Sequence, residues 1–181
     1  MTLAYVEIDS PVGKLLLAGD GERLHVLAFR EGKKAMEARP DWLHDKAPLG
    51  GAVEQLRAYF AGELREFTLP LAPLGTAFQL QVWKELTRIP YGETISYGEL
   101  ADRVGNPKAS RAVGLANGCN PIAIVVPCHR VIGASGKLTG YGGGLPIKEH
   151  LLALERRSTG LFAMSSVDLY SGDGTKLLPS C

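Results

Sequence analysis

Pro121-Ile122-Ala123-Ile124-Val125-Val126-Pro127 leads directly into Cys128-His129-Arg130-Val131-Ile132. A continuous apolar run bounded by prolines suits a buried strand, and helical patterns lie on both sides of it. A cysteine is a nucleophile only as its thiolate, which needs a base or a positive charge nearby. His129 is adjacent and could serve directly or through a water. A buried structural cysteine is also common, with the histidine then merely capping the strand end. The stretch by itself leaves both readings open.

Downstream, Gly140-Tyr141-Gly142-Gly143-Gly144 forms a glycine-rich loop. Its glycines could let backbone amides approach a ligand closely, but the run lacks the G-x-G-x-x-G spacing of a dinucleotide site. A helix follows with Pro146 in its first turn. Ile147, Leu151 and Leu154 form its apolar stripe, and Glu155 falls on or beside that buried face. A buried carboxylate needs a hydrogen-bonding partner. His129 would make a Cys–His–Glu relay of the kind that activates nucleophiles; pairing with Arg156 or solvent fits the spacing equally well. From Ser158 the sequence is Ser/Gly-rich and aperiodic, and residues 158–181 are expected to be a flexible tail.

Upstream, Phe78, Val82, Leu86 and Ile89 mark a helix stopped by Pro90. Ser96-Tyr97-Gly98-Glu99 fits a capping box opening a helix with Leu100, Ala101 and Val104, ended by Gly105. A second short helix follows Asn106-Pro107, with Ala109, Ala112, Val113 and Ala116 as its apolar stripe. The pair is a helix-turn-helix candidate. At about 100° per residue, Ser110, Arg111, Gly114 and Gly118 lie opposite the stripe. That smooth face with one arginine suits close approach to another surface. An ordinary solvated helix is the alternative, its two glycines each costing about 1 kcal/mol relative to alanine.

Pro70, Pro73 and Gly75 mark a boundary between a first domain over residues 1–69 and a second over 76–157. Before it, Tyr5–Ile8, Lys14–Ala18 and Leu24–Phe29 read as a β-meander split by Pro/Gly turns. Residues 31–50 look irregular, and Val53, Leu56, Tyr59 and Phe60 recur at helical spacing. The fold class expected is therefore a two-part α/β protein: a small antiparallel sheet plus helix, then a mainly helical domain with a helix-turn-helix and a buried active-site strand.

The 181 residues, 45% of them hydrophobic, can bury a real core. No apolar run is long enough to span a membrane, and the first residues carry no signal-peptide pattern, so a cytoplasmic location is expected. Cys119, Cys128 and Cys181 make no disulfide framework, and with scattered histidines no metal site is expected. Residues 76–160 hold 10 basic and 6 acidic side chains against 9 and 11 in residues 1–75, a weak bias toward a polyanion.

The pieces together resemble the O6-alkylguanine-DNA alkyltransferase family (methylated-DNA–protein-cysteine methyltransferases). The resemblance runs from about Phe78 to Glu155. It rests on Gly92-Glu93-Thr94-Ile95-Ser96-Tyr97, Gly105-Asn106-Pro107-Lys108-Ala109, Arg111-Ala112-Val113-Gly114, Asn120-Pro121, the quoted run through Ile132, and Tyr141-Gly142-Gly143-Gly144-Leu145 with Lys148-Glu149. It implies irreversible, single-turnover transfer of an alkyl group from O6-alkylguanine in double-stranded DNA to Cys128 after base flipping, with no cofactor and a monomeric protein. By the same resemblance His129 is the base acting through a water and Glu155 orients it. Asn120 is a hinge, and Tyr97 assists base flipping and hydrogen-bonds the departing guanine. Arg111 fills the vacated stack, and the second helix, with Ser110 and Gly114, enters the minor groove. The carbonyls of Cys128 and Val131, with the loop at Tyr141 and Gly142, read the base.

The N-terminal cysteines of zinc-binding members are missing, as is the extra cysteine of transcriptional activators. A lesion sensor lacking the acceptor is disfavoured by the cysteine at 128. A thiol hydrolase is disfavoured because such enzymes normally take their histidine from a distant segment, adjacent side chains rarely facing each other directly. By the same resemblance O4-alkylthymine is a further candidate substrate.

Overall fold

A computed structural model describes residues 2–167, with side chains through 160. Three strands, β1 (Ala4–Ser10), β2 (Gly13–Gly19) and β3 (Leu24–Phe29), form the antiparallel meander. The β1–β2 turn closes at Gly13, whose φ of 93° suits a residue without a Cβ. A short β4 (Leu43–His44) adds in parallel beside β1, giving the order β3-β2-β1-β4. Residues 31–50 are thus mostly irregular, as expected, but β4 was not legible in two residues.

β2 reads as a continuous Leu-Leu-Leu-Ala run because both of its faces are covered. Leu15 and Leu17 enter the main core, while Leu16 and Ala18 pack with Leu3, Val26 and Trp42 on the outer face. Helix α1 (Gly50–Phe60) buries Val53, Leu56 and Tyr59 in the main core.

The second half begins with α2 (Ala77–Leu86), opened by a Thr76/Gln79 capping box. β5 (Ile95–Ser96) runs into α3 (Tyr97–Arg103), whose Ser96/Glu99 capping box is present as expected. After Gly105, in the left-handed region, comes α4 (Ser110–Gly118). The Trp83 indole donates to the Ala116 carbonyl at 2.8 Å and ties α2 to α4. The buried stripe of α4 is Val113, Ala116 and Asn117 with half-buried Ala109; Ala112, expected inside, is exposed. The helix packs on both α2 and α3, and that double contact turns Ala112 outward.

The expected strand at 121–126 is corrected. The segment is buried, but only Ile122 bridges a strand, at Leu27 of β3. Asn120 folds the rest back on itself, accepting from the Ile122 amide at 3.0 Å and donating to the Val126 carbonyl at 2.8 Å. Ile124 holds φ at +70°, where a β-branched residue rarely sits; such strain is on the order of 1–3 kcal/mol. A 3₁₀ turn over Cys128–Arg130 follows, then β6 (Val131–Ile132), parallel to β5. The last helix, α5 (Leu145–Val167), continues through 158–167, where a flexible tail was expected to begin. The remainder of that tail, 168–181, lies outside the described residues. Among the described residues no helix is long and apolar enough to cross a membrane.

The edge of β3 joins the two halves. Leu24 exchanges backbone bonds with Pro70 and Ala72, and Leu27 with Pro121 and Ala123, at 2.8–2.9 Å. An exposed sheet edge is thereby covered. We expect the Leu27 and Ala123 amides to exchange with solvent as slowly as amides within the β1–β2 pair. Rapid hydrogen exchange at both, with that pair still protected, would contradict a firm joint.

Candidate active site

Helix α5 carries Glu155 fully buried, one turn beyond Leu151 and Leu152. The buried stripe is Lys148, Leu151, Leu152 and Glu155, so the expected stripe of Ile147, Leu151 and Leu154 is rotated; Ile147 and Leu154 lie half-buried at its edge. The cause is that charged groups occupy both ends of the inner face.

Among the described residues five hydrogen bonds converge on the Glu155 carboxylate. Oε1 accepts from His129 Nε2 at 2.7 Å, Tyr59 Oη at 2.8 Å and an Arg130 Nη2 at 3.0 Å. Oε2 accepts from Arg130 Nε at 2.9 Å and the Gly92 amide at 3.0 Å. Arg130 also donates to the Ile89 carbonyl. Burial alone would raise the Glu155 pKa, but the bonds from His129 and Arg130 outweigh it and lower the value to about 2. The alternatives of Arg156 or solvent as its partner are thus corrected.

His129 is also fully buried, and burial lowers its pKa against the opposing pull of Glu155. It is therefore neutral at neutral pH. Because the ionised Glu155 can only accept, Nε2 carries the ring proton and Nδ1 keeps a lone pair. Among the described residues nothing bonds Nδ1. A neutral imidazole with a free nitrogen is a general base.

Cys128 is buried and its thiol pKa is raised, chiefly by burial; Asn120, the Lys148 charge and Tyr141 partly oppose this. The Tyr141 hydroxyl is buried and, among the described residues, otherwise unbonded, close enough to polarise the sulfur. Lys148 donates to the carbonyls of Val131 at 2.7 Å and Thr139 at 2.9 Å. Its ammonium is destabilised by burial and supported by a Cys128 thiolate.

Cys128 lines a cavity of about 120 Å³ walled by Phe29, Lys34 and Met36 from the first half and Asn120 and Tyr141 from the second. A larger cavity of about 510 Å³ lies behind Arg130 and does not include Cys128, so size alone misplaces the chemistry. Gly143 allows packing rather than ligand approach: a Cβ there would stand 2.8 Å from the Phe29 ring. The Gly142 carbonyl accepts from the Lys34 amide at 3.2 Å.

A family model described as the 6-O-methylguanine DNA methyltransferase DNA binding domain matches residues 77–157, and one described as its ribonuclease-like domain matches 3–73. The chain belongs to the 6-O-methylguanine DNA methyltransferase family. It is 60% identical over 151 residues to a methylated-DNA–protein-cysteine methyltransferase of Methanosarcina acetivorans, covering 83% of this chain and 97% of that relative. A Mycobacterium tuberculosis protein of the same name is 60% identical over 152 residues, 84% of this chain and 92% of its own. Among solved structures, M. tuberculosis OGT in complex with DNA is 59% identical with a TM-score of 0.81, over 86% of this chain and 94% of that one. An O6-methylguanine-DNA methyltransferase from Pyrococcus kodakaraensis is 26% identical with a TM-score of 0.62, over 85% of this chain and 99% of that one. Family membership makes this chain a transferase acting in DNA repair, with a DNA-binding domain.

The methyltransferase fold brings Asn120 and Tyr141 to Cys128, and Glu155 to the neighbouring His129. The Val131 carbonyl reaches the same region already bonded to Lys148. Tyr97 opens α3 with its ring against Gly114, its hydroxyl accepting from Thr139 at 3.2 Å. Ser110 and Gly114 are half-buried and Arg111 is exposed on α4. Sequence reasoning missed Tyr59, Arg130 and Lys148 as members of the network. The 148/151/152/155 spacing was a usable signal, hidden by the assumption that lysine faces solvent. Nothing in the sequence links Tyr59 to a residue 96 positions away.

Removing one partner of a buried ion pair strands the other charge. Glu155→Ala is expected to destabilise the protein by about 3–5 kcal/mol, measured by urea unfolding. A loss below about 1 kcal/mol, the range of an exposed pair, would contradict this placement.

Proposed function

We propose that this protein moves an alkyl group from O6 of guanine in double-stranded DNA to Sγ of its own Cys128, once per molecule. The observation that carries the reading is a neutral imidazole, held by Glu155 with its other nitrogen unpartnered among the described residues, adjacent in sequence to a buried thiol.

An O6-alkyl carbon cannot be reached inside a duplex, so the base is flipped out, at an unstacking cost of a few kcal/mol that is smaller for a damaged pair. Helix α4 enters the minor groove, its small residues Ser110 and Gly114 allowing close approach, and Arg111 fills the gap in the stack. Asn120 is the hinge between α4 and the acceptor turn. The carbonyls of Cys128 and Val131, with Tyr141 and Gly142, read the base edge.

His129 Nδ1 takes the thiol proton through one intervening water, and the imidazolium is balanced by Glu155. The emerging thiolate is stabilised by the Lys148 ammonium. The sulfur lone pair forms the S–C bond as the C–O6 bond breaks, and the electron pair passes to the guanine. Tyr97, whose oxygen accepts from Thr139, has its own proton free to donate to that guanine. The displacement needs a nucleophile and a proton path, both present in the chain, and no cofactor. A thioether is a poor leaving group, so the thiolate is not regenerated.

O4-alkylthymine presents a similar alkoxy carbon and is a second substrate in this reading. In this reading the protein acts as a monomer in the cytoplasm, where it meets DNA.

The test is intact-mass spectrometry after mixing with an O6-methylguanine duplex. The wild type should gain one methyl group in place of a proton, on Cys128, and Cys128→Ala should gain nothing. Methylation elsewhere, or repeated turnover, would overturn the proposal. The rate depends on unprotonated His129, whose pKa is lowered. It should stay level from neutral pH to below about 6.5, the ordinary imidazole value, and fall only at lower pH. A fall beginning above that value would exclude the buried His129 as the base.

A further inference from the structure

The exposed face of α4 is not centred where its glycines are. Val113, Ala116 and Asn117 are buried, so the direction opposite them runs through Leu115, with Arg111 one turn before it and Cys119 one turn after. Leu115 is 73% exposed, on a helix whose inner face is well packed. Its neighbours on that face are small or slender: Ala112 is exposed, Gly114 and Gly118 are half-buried, and none of them shields it. Thus the tallest apolar group on the helix stands alone beside its one exposed cation.

We infer that Leu115 is an apolar wedge that seats α4 in the minor groove and props open the step from which the damaged base leaves. This rests on the reading that α4 enters that groove. The groove's walls are phosphates and its floor is sugar and base edge. A cation beside a projecting aliphatic group matches both surfaces, and proteins that kink DNA from the minor groove insert side chains such as leucine between base steps. Arg111 meets the negative wall and the vacated stack, while Leu115 displaces water from the floor. An isolated leucine is unremarkable on most surfaces. Here its setting on a face of alanine and glycine gives it reach that a crowded surface would deny.

The test compares Leu115→Ala with Arg111→Ala. Two rates are measured for each: methylation of Cys128 by an O6-methylguanine duplex below saturation, and labelling of Cys128 by free O6-benzylguanine. The free base bypasses the helix, so the ratio of the two rates isolates the duplex step. Alanine favours helix more than leucine and the side chain is exposed, so folding should be kept, as circular dichroism will check. Leu115→Ala should lower the ratio about tenfold, equivalent to about 1.4 kcal/mol. A ratio within about twofold of wild type, a few tenths of a kcal/mol, would overturn the wedge. If Arg111→Ala still lowers it, only the role of Leu115 fails. If neither variant changes it, the placement of α4 in the groove fails as well.

Discussion

The site depends on one carboxylate. Glu155 sits fully buried on α5 and receives bonds from α1 through Tyr59, from the loop at Gly92, and from the turn carrying His129 and Arg130. An ionised carboxylate in such a place is tolerable only when every lone pair is occupied and a counter-charge is close. Arg130 supplies the charge and the other donors complete the shell. The same bonds decide which nitrogen of His129 carries the proton, so stability and proton chemistry share one cause. Tyr59 makes the N-terminal half a participant in this arrangement as well as a scaffold.

Burial works against reactivity at Cys128 and with it at His129. Desolvation keeps the thiol protonated at rest and keeps the imidazole neutral and able to accept. A resting thiol is protected from indiscriminate alkylation and oxidation, since the thiolate is the reactive species. In the proposed reaction the thiol loses its proton only when substrate arrives, and the nearby Lys148 charge favours the thiolate that is left. The left-handed backbone at Ile124 lies in the buried segment that leads to Cys128 at the cavity wall, and the joint with β3 anchors that segment at Ile122.

Much of this could be read from the chain in advance. The meander followed from alternating and apolar runs between Pro/Gly turns, and the α3 cap from Ser96 and Glu99. Cys128, His129 and Glu155 stood out because a nucleophile, a base and an inward carboxylate formed a chemical set. The segment 121–126 misled because apolar composition reports burial, not pairing; whether a buried run extends or folds back depends on its neighbours, here Asn120 and a single residue of β3. Ala112 misled because the orientation of α4 is set by two partner helices at once. Lys148 and Tyr59 stayed hidden because their partners are brought near only by the tertiary fold, and a lysine is ordinarily placed outside.

The central claim is that Glu155 fixes His129 as a neutral ring protonated at Nε2 with Nδ1 bare. Nitrogen-15 NMR of the imidazole in the unreacted protein at neutral pH measures this directly. The account predicts a protonated Nε2 and an unprotonated Nδ1. A proton on Nδ1, whether as the other tautomer or as imidazolium, would contradict it.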